Sequence, residues 1–280
     1  MAINWFPGHM KKTQREIKEN LRVVDAVIEI RDSRIAKSSA NPDIDKLVGT
    51  KPRLILLNKS DLAEKSVTKS WMKELKTDNV MAIEVNCLKG IGINKIKPAL
   101  EELLKEKIER MKSKGLKNLT IRVMVVGIPN VGKSTFINKL ARNNIAKTGD
   151  RPGVTKNKQW IKTSIGIELL DTPGVLWPKF EDDETALNLA FTGAIKDEIM
   201  DIEDLSYRLI ERMSSHYSEL LKERYKIEEV FDDPLETLNA IGRKRGCIVK
   251  GGEINYTRLA VMLLDEFRGG KMGNISLERP

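Results

Sequence analysis

The stretch "GIPNVGKST" (residues 127–135) decides the fold class of this chain. It matches the pattern GxxxxGK[ST], follows the apolar run "IRVMVV" and leads into the helix-forming run "STFINKLAR". Glycines in this pattern let the backbone curl so that consecutive N–H groups and a helix N-terminus face phosphate oxygens. The pattern predicts a phosphate-binding loop, with Lys133 on the β- and γ-phosphates and the Ser134 hydroxyl on Mg²⁺.

Two further motifs stand at the ends of apolar runs. "NKSD" (58–61) follows "RLILL", and "DTPG" (171–174) begins with the last residue of "IELLD". The Asp61 carboxylate can accept the N1–H and the 2-amino group of guanine, which adenine does not offer, so this motif predicts selection of guanine. Asp171 can reach Mg²⁺ through a water molecule, and the Gly174 N–H can meet the γ-phosphate.

Two shorter patterns complete a guanine-nucleotide site. In "VNCLKG" (85–90), Asn86 or Cys87 stands where a main-chain N–H would face the guanine O6 atom. "RPGVT" (151–155) lies between the phosphate loop and "DTPG", where a switch segment would supply Thr155 as a ligand to the metal.

The order of these motifs along the chain is unusual. Asn58 precedes Gly127 by 69 residues, whereas the base-reading motif of an ordinary GTPase follows its phosphate loop. Chain termini commonly lie close together at the surface, so a sheet tolerates joining the old termini and opening the chain elsewhere. The order therefore predicts a circular permutation, in which Asn58 and Lys59 would brace the base-reading and phosphate loops.

The pattern of strands and helices predicts an α/β fold followed by a helical region. Short apolar runs alternate with helix-period runs as far as about residue 180, which favours a doubly wound, mostly parallel sheet. We predict a circularly permuted GTPase domain over 1–180 and a mainly α-helical domain over 181–280. The predicted strands are 23–30, 53–58, 81–85, 121–127 and 167–171, and the predicted helices before the second domain are 9–20, 66–76, 92–112 and 133–142.

The composition is that of a globular protein. Of 280 residues, 40% are hydrophobic and 32% are charged. No apolar run reaches the length of a membrane helix, and there is no signal-peptide pattern. Two cysteines without a CxxC spacing suit a reducing compartment. We expect a cytoplasmic monomer without a membrane partner.

Charge is distributed in blocks along the chain. Residues 1–180 carry 35 Lys and Arg against 19 Asp and Glu, residues 181–239 carry 6 against 17, and residues 240–280 carry 8 against 4. A basic body and a basic C-terminal end suit a polyanion such as RNA, although single lysines are more often solvated helix faces. The candidate RNA-binding residues are Arg243, Lys244, Arg245, Lys250, Arg258 and Lys271.

The chain resembles the circularly permuted GTPases of the YlqF/YawG family. The residues that carry this resemblance are the opening "NWFPGHMKK", the run "DAVIEIRDSRIAKSSANP", the motifs quoted above, and "RGCIVKGGEINYTRLAVMLLDEFRGGKMG" near the C-terminus. Together they cover nearly the whole chain. The resemblance implies GTP hydrolysis coupled to maturation of the large ribosomal subunit, with the C-terminal helical domain contacting rRNA.

The resemblance also bears on catalysis. Val175 follows "DTPG", where Ras-like enzymes hold a glutamine that orients the attacking water. Because valine cannot orient water, another group must do so. Asn130 in the phosphate loop could hold K⁺, as in similar GTPases, and His9 could orient water or serve its own loop or RNA instead. With Lys133 and Thr155, His9 forms the predicted catalytic set. The predicted GTP-binding residues are Asn58, Lys59, Ser60, Asp61, Asn86, Cys87, Asn130, Val131, Gly132, Lys133, Ser134, Thr135, Asp171 and Gly174.

Other functions fit part of the same pattern. The chain could be an RNA-binding module whose GTP site sets conformation with little turnover, or a GTPase in tRNA modification or membrane traffic. Lipidation motifs and an amphipathic anchor are absent from the sequence, which argues against traffic. The leading hypothesis is a GTPase with Mg²⁺ and K⁺ that acts on the large ribosomal subunit, with GTP and GDP as its ligands.

Overall fold

The computed structural model describes residues 15–116, 119–141, 160–171 and 182–280. Four residues discussed above, His9, Thr155, Gly174 and Val175, lie outside these ranges. Asp171 is described only as the last residue of a strand.

One six-stranded sheet forms the centre of the first part of the chain. Its strand order is β3-β2-β1-β4-β6-β5, and every neighbouring pair is parallel except β5 with β6. This confirms the predicted fold class, an α/β fold with a mostly parallel sheet. The strands are β1 Ala26–Asp32, β2 Arg53–Asn58, β3 Val80–Glu84, β4 Ile121–Val126, β5 Trp160–Lys162 and β6 Ile167–Asp171.

The strand β1 is buried along its whole length, as expected for an inner strand covered on both faces. It nevertheless contains charged residues, and their charges are paired. The Arg31 guanidinium contacts both carboxylate oxygens of Glu29 at 2.7 and 3.0 Å. Arg53 on β2 donates a further hydrogen bond to Glu29 at 3.0 Å. Pairing of this kind is what makes burial of charge tolerable.

Ten α-helices are present in the described residues. The predicted helix over 92–112 is divided at Leu104, whose backbone departs from helical geometry (φ −104°, ψ 13°). None of the described helices is long and apolar enough to cross a membrane. The helices are α1 15–21, α2 Pro42–Val48, α3 Lys65–Glu74, α4 Ile96–Leu103, α5 Lys105–Ser113, α6 Lys133–Leu140, α7 Asp183–Phe191, α8 Ile202–Tyr225, α9 Pro234–Lys244 and α10 Tyr256–Arg268.

Two elements differ from the sequence-based expectation. The strand β5 pairs antiparallel to β6. It has only three residues, which is too few to produce a pattern of alternation in the sequence. The helix α2 has seven residues and is set by its first turn, where the Asn41 side chain accepts from the Asp43 N–H and Pro42 occupies the first helical position.

The sheet brings the motif-bearing loops to one edge. β1 and β4 are neighbours at its centre, and the strand order runs outward from them in opposite directions. Ligands of such sheets bind in the crevice outside the carboxyl ends of the strands, at the point where the order reverses. The phosphate loop follows β4 and "NKSD" follows β2, so both open onto this crevice although their order in the chain is exchanged.

The C-terminal helices pack together and against this edge. The helix α8 packs on α9 and α10, and its apolar side chains join the same core as those of the sheet. After α10, the chain returns to the loops that follow β1 and β2. There the Ile275 N–H donates to the Leu62 carbonyl and the Leu277 N–H to the Arg34 carbonyl, each at 2.9 Å.

Candidate guanine-nucleotide site

The phosphate loop turns at a glycine where a side chain would be strained and would clash. Gly132 has φ +99°, and a Cβ atom there would lie 2.3 Å from the Asn58 side-chain nitrogen. Asn130 also has a positive φ, +61°. Gly132 precedes α6, whose first residues Ser134 and Thr135 are exposed. The loop therefore leads into a helix N-terminus, whose N–H groups and dipole are suited to an anion.

Asn58 joins three segments that are distant in the sequence. Its side-chain nitrogen donates to the Val131 carbonyl of the phosphate loop at 2.7 Å. Its side-chain oxygen accepts from the Cys87 N–H at 3.0 Å, and the Ser33 hydroxyl donates to its carbonyl at 2.7 Å. Asn58 is buried, so these bonds are shielded from water, and they hold the base-reading and phosphate loops in one arrangement.

Lys59 is held by a buried carboxylate that sequence reasoning did not single out. The Lys59 ammonium lies 2.9 Å from Asp32, and the Arg34 guanidinium lies 2.8 Å from the same oxygen. Burial by itself would raise the pKa of Asp32, but Arg34 and Lys59 outweigh it and hold that pKa well below its ordinary value. Asp32 therefore stays ionised and anchors Lys59, which has a positive φ of +58°.

The Asp61 carboxylate faces the loop that follows β3. The Lys89 ammonium lies 3.0 Å from one of its oxygens. Lys89 is well exposed, so this pair is screened by water and can yield to a ligand. Asp61 thus lies within reach of the 86–91 loop, where the edge of a guanine base would have to lie.

The 86–91 loop contains the two residues predicted for the guanine O6 contact, and the N–H groups of both have acceptors within the protein. The Asn86 N–H donates to the Ile91 carbonyl at 2.9 Å, and the Cys87 N–H is taken by Asn58. In this arrangement both N–H groups serve the loop itself. Burial raises the pKa of the Cys87 thiol to about 12, so it remains a neutral, structural group.

A neighbouring amide fits the O6 contact better. The N–H groups of Lys89, Gly90 and Ile91 all bond to Asn86. Within residues 86–91, Leu88 has the only N–H for which the described part of the chain shows no acceptor, and its side chain is 78% exposed. The sequence did not indicate Leu88, because whether a main-chain N–H has an acceptor does not depend on the type of residue.

The elements beside the phosphate loop supply oxygen donors suited to Mg²⁺. The Ser134 hydroxyl lies in the first turn of α6 and is exposed. Asp171 ends β6 in register with Val125, two residues before Gly127 on the neighbouring strand β4. Hydroxyl and carboxylate oxygens are the ligands that Mg²⁺ prefers, so these residues fit that ion.

Asn130 connects the phosphate loop to the helical region. Its side-chain nitrogen donates to the Gly193 carbonyl, in the turn after α7. The same turn is held by Arg268, which donates to the Ala190 and Phe191 carbonyls at 2.9 and 3.1 Å. The side-chain oxygen of Asn130 remains the part of this group that could face a monovalent cation.

The six candidate RNA-binding cations do not form one surface. Arg243, Lys244, Lys250 and Arg258 are exposed, and in the described ranges no carboxylate pairs with them. They lie at the end of α9, in the turn that follows, and at the start of α10. We call these four residues the basic tip.

Arg245 and Lys271 differ from the basic tip. The Arg245 guanidinium lies over the Tyr225 ring at 5.1 Å and 3.7 Å from Glu266, so it serves the helical core. Lys271 follows the other end of α10, a helix of 13 residues or about 20 Å from the tip. It is next to Gly270, which packs against Leu62 of the base-reading loop. These two residues therefore lie apart from the basic tip.

The fold and this site define a circularly permuted P-loop GTPase. A family model described as "50S ribosome-binding GTPase" matches residues 122–237, and so begins with the strand that carries the phosphate loop. The chain belongs to the ribosome biogenesis GTPase A family. It is 50% identical over 280 residues to ribosome biogenesis GTPase A of Bacillus cereus, with 100% of this chain and 95% of that protein covered.

Two further comparisons agree with this assignment. Ribosome biogenesis GTPase A of Bacillus licheniformis is also 50% identical, with 100% of this chain and 99% of that protein covered. The crystal structure of GNP-bound YlqF from T. maritima is similar with a TM-score of 0.65 and 30% identity, covering 96% of this chain and 98% of that chain.

Proposed function

We propose that this protein is a GTP-hydrolysing assembly factor for the large ribosomal subunit, which binds pre-ribosomal rRNA and uses hydrolysis as a switch. One observation carries the nucleotide part of the proposal. Asn58 ties the base-reading loop, the 86–91 loop and the phosphate loop together at the carboxyl edge of the sheet. The relatives named for ribosome biogenesis support the ribosomal part.

Base recognition falls to two groups in this proposal. The Asp61 carboxylate accepts from the N1–H and 2-amino group of guanine, and the Leu88 N–H donates to O6. A buried acceptor left unpaired costs about 1–3 kcal/mol, which is the basis of selection against adenine. Lys59, fixed by Asp32, lies along the base, and Ser60 continues the loop.

The phosphates are bound by the loop from Asn130 to Thr135 in this proposal. Main-chain N–H groups of Val131, Gly132 and Thr135 face the phosphate oxygens, and Lys133 neutralises the β- and γ-phosphates. Mg²⁺, when bound, would neutralise charge on the same phosphates and would be held by Ser134, with Asp171 acting through water. Thr155 and Gly174 complete this part of the assignment.

Hydrolysis requires a group that orients water, since Val175 cannot. We assign that role to His9 and assign to Asn130 a K⁺ ion that offsets charge developing on the phosphates. Both assignments rest on the resemblance of these residues to the family pattern. The side-chain oxygen of Asn130 is a neutral donor of the kind K⁺ accepts.

Binding to rRNA is assigned to the helical domain, residues 181–280, through the basic tip. Its four cations are exposed and unpaired within the described residues, whereas residues 181–239 carry a net charge of −11. An electrostatic contrast of this kind orients docking on a polyanion, with the acidic helices facing away.

The direct test is GTP turnover with and without large ribosomal subunits. We expect the subunits to accelerate turnover many-fold in the wild type. Lys133→Ala should abolish turnover while leaving the thermal unfolding temperature unchanged, because Lys133 is only partly buried and contributes little to the core. Binding of subunits without any acceleration would favour the alternative, an RNA-binding module whose nucleotide sets conformation.

A further inference from the structure

The chain segment after α10 contacts the base-reading loop. We call residues 274–277 the C-terminal strap. The Asn274 side-chain nitrogen donates to the carbonyl oxygens of Asp61 and Ala63, at 3.1 Å each. Asn274 is itself exposed, so it contributes little to the core. One of its hydrogen bonds holds the main chain of Asp61, the residue that would bind the guanine base.

The main chain of the strap extends this contact. The Ile275 N–H donates to the Leu62 carbonyl at 2.9 Å, and the Ser276 hydroxyl accepts from the Glu64 N–H at 3.1 Å. Together with Asn274, these bonds engage a main-chain group of every residue from 61 to 64. The second half of the base-reading loop is therefore held by the C-terminus.

A glycine allows the close approach that this contact requires. Gly270 has φ +72°, and a Cβ atom there would lie 2.4 Å from the Leu62 side chain. The chain leaving α10 thus packs directly against the base-reading loop. A side chain at position 270 would strain the backbone there and force the Leu62 side chain, which belongs to the loop, to move.

The two halves of the loop are anchored to different parts of the molecule. Asn58 and Lys59 are held by the end of β1, at Asp32, and by the residue that follows it, Ser33. The strap is also bonded to the helical region, where the Tyr217 hydroxyl on α8 accepts from the Ser276 N–H at 3.0 Å. Asp61 lies between the part of the loop that β1 holds and the part that the strap holds.

We infer that the C-terminal strap is a positioning element for guanine recognition, with Asn274 fixing the main chain of Asp61 so that its carboxylate meets both guanine donors. This inference rests on the proposed assignment of residues 58–61 to base reading. Two parallel hydrogen bonds tolerate displacement of about 0.5 Å before one of them is lost. A movement of the helical region when it binds its partner would then change the affinity for guanine. Nucleotide binding would in turn stabilise the strap.

The experiment compares GDP with IDP, which lacks the 2-amino group, by calorimetric titration. In Asn274→Ala we expect GDP affinity to fall about three- to tenfold and IDP affinity to fall less, because the bond to the 2-amino group is lost. The preference for GDP over IDP should narrow accordingly. Gly270→Ala should shift the same ratio in the same direction.

A matched control lies two residues beyond the strap. Arg279 pairs with the Glu64 side chain at 2.9 Å, is half exposed, and makes no bond to the main chain of the loop. Arg279→Ala should keep the wild-type ratio of GDP to IDP affinity. A variant that is merely less folded would lower the number of binding sites per molecule without changing that ratio.

Asp61→Asn separates failure of this inference from failure of the proposed function. If Asp61→Asn loses the preference for GDP while Asn274→Ala keeps it, the strap has no role in positioning and the base-reading assignment stands. If Asp61→Asn also keeps the preference, both are overturned. As an independent readout, GDP should slow hydrogen exchange of the Ile275 amide, and an unchanged exchange rate would count against the coupling.

Discussion

The side-chain nitrogen of Asn58 lies 2.7 Å from the carbonyl oxygen of Val131, although the two residues are 73 positions apart in the chain. This bond connects the base-reading loop to the phosphate loop. A circular permutation changes which loop comes first but leaves both strand ends at the same edge of the sheet. The geometry of this bond therefore does not depend on which loop comes first in the chain.

The Asp61 carboxylate should determine the choice of base. We expect Asp61→Asn to weaken GDP and GTP binding by about tenfold or more and to shift preference toward xanthine nucleotides, whose 2-oxo group accepts where guanine donates. Titration of the same preparation with GDP and XDP provides its own control for folding. Equal GDP affinity in the variant and the wild type would refute the assignment.

The two ends of the Asn130 side chain should have separable roles. Hydrolysis should be faster in KCl than in NaCl at matched ionic strength, and Asn130→Ala should remove this difference. Asn130→Asp retains an oxygen for the cation but loses the donor to Gly193, so it should keep the K⁺ effect. Equal wild-type rates in the two salts would exclude the ion site.

The basic tip should bind the large subunit through phosphate contacts. Replacing Arg243, Lys244 and Lys250 with alanine should weaken binding and flatten the plot of log K against log salt by about one unit per lost contact. Intrinsic turnover should stay near normal, while subunit-stimulated turnover should fall. The measurement is co-sedimentation with subunits over a salt series.

Arg245→Ala is the matched control for the basic tip. Because Arg245 packs on Tyr225 and near Glu266, its loss should lower the unfolding temperature and leave the salt slope unchanged. If the triple variant binds as tightly as the wild type, the basic tip is a solvated turn.

The buried carboxylate of Asp32 should make stability depend on pH. Its folded-state pKa lies below the unfolded value, so its contribution is present at neutral pH and is lost as pH falls below about 4. We expect Asp32→Asn to lower the free energy of unfolding at pH 7 by about 3 kcal/mol, because Arg34 and Lys59 lose their buried counter-charge. The difference from the wild type should shrink in urea titrations as pH is lowered from 5 to 3. A constant difference would show that Asp32 does not titrate in this way.

Local pattern was sufficient for most of the fold. The apolar runs at 53–58, 121–127 and 167–171 match strands to within one residue, because buried parallel strands require continuous apolar sequence. The elements that were missed, β5 and α2, have three and seven residues. Elements of that length are selected by their neighbours and caps rather than by periodicity.

The nucleotide site, like the fold, was predictable from sequence only where the signal is local. "NKSD" and "GIPNVGKST" contain residues whose chemistry and spacing are local properties, so the sequence alone was sufficient to predict a rearranged nucleotide site. By contrast, nothing in "RDSR" (31–34) reveals that Asp32 would lie under Lys59. That contact exists because β1 and β2 are paired in register, with Asp32 opposite Asn58.

Sequence by itself thus determined the fold class, the permuted order of the loops and the residue types that can read guanine and bind phosphate. Only the tertiary structure decided which of those groups are available. The Cys87 N–H donates to Asn58, the Arg245 guanidinium packs in the helical core, and the Leu88 N–H has no acceptor among the residues that the structure describes. The physical reason is that residue type sets what a group can donate or accept, whereas packing between distant segments sets whether another part of the chain has already used it.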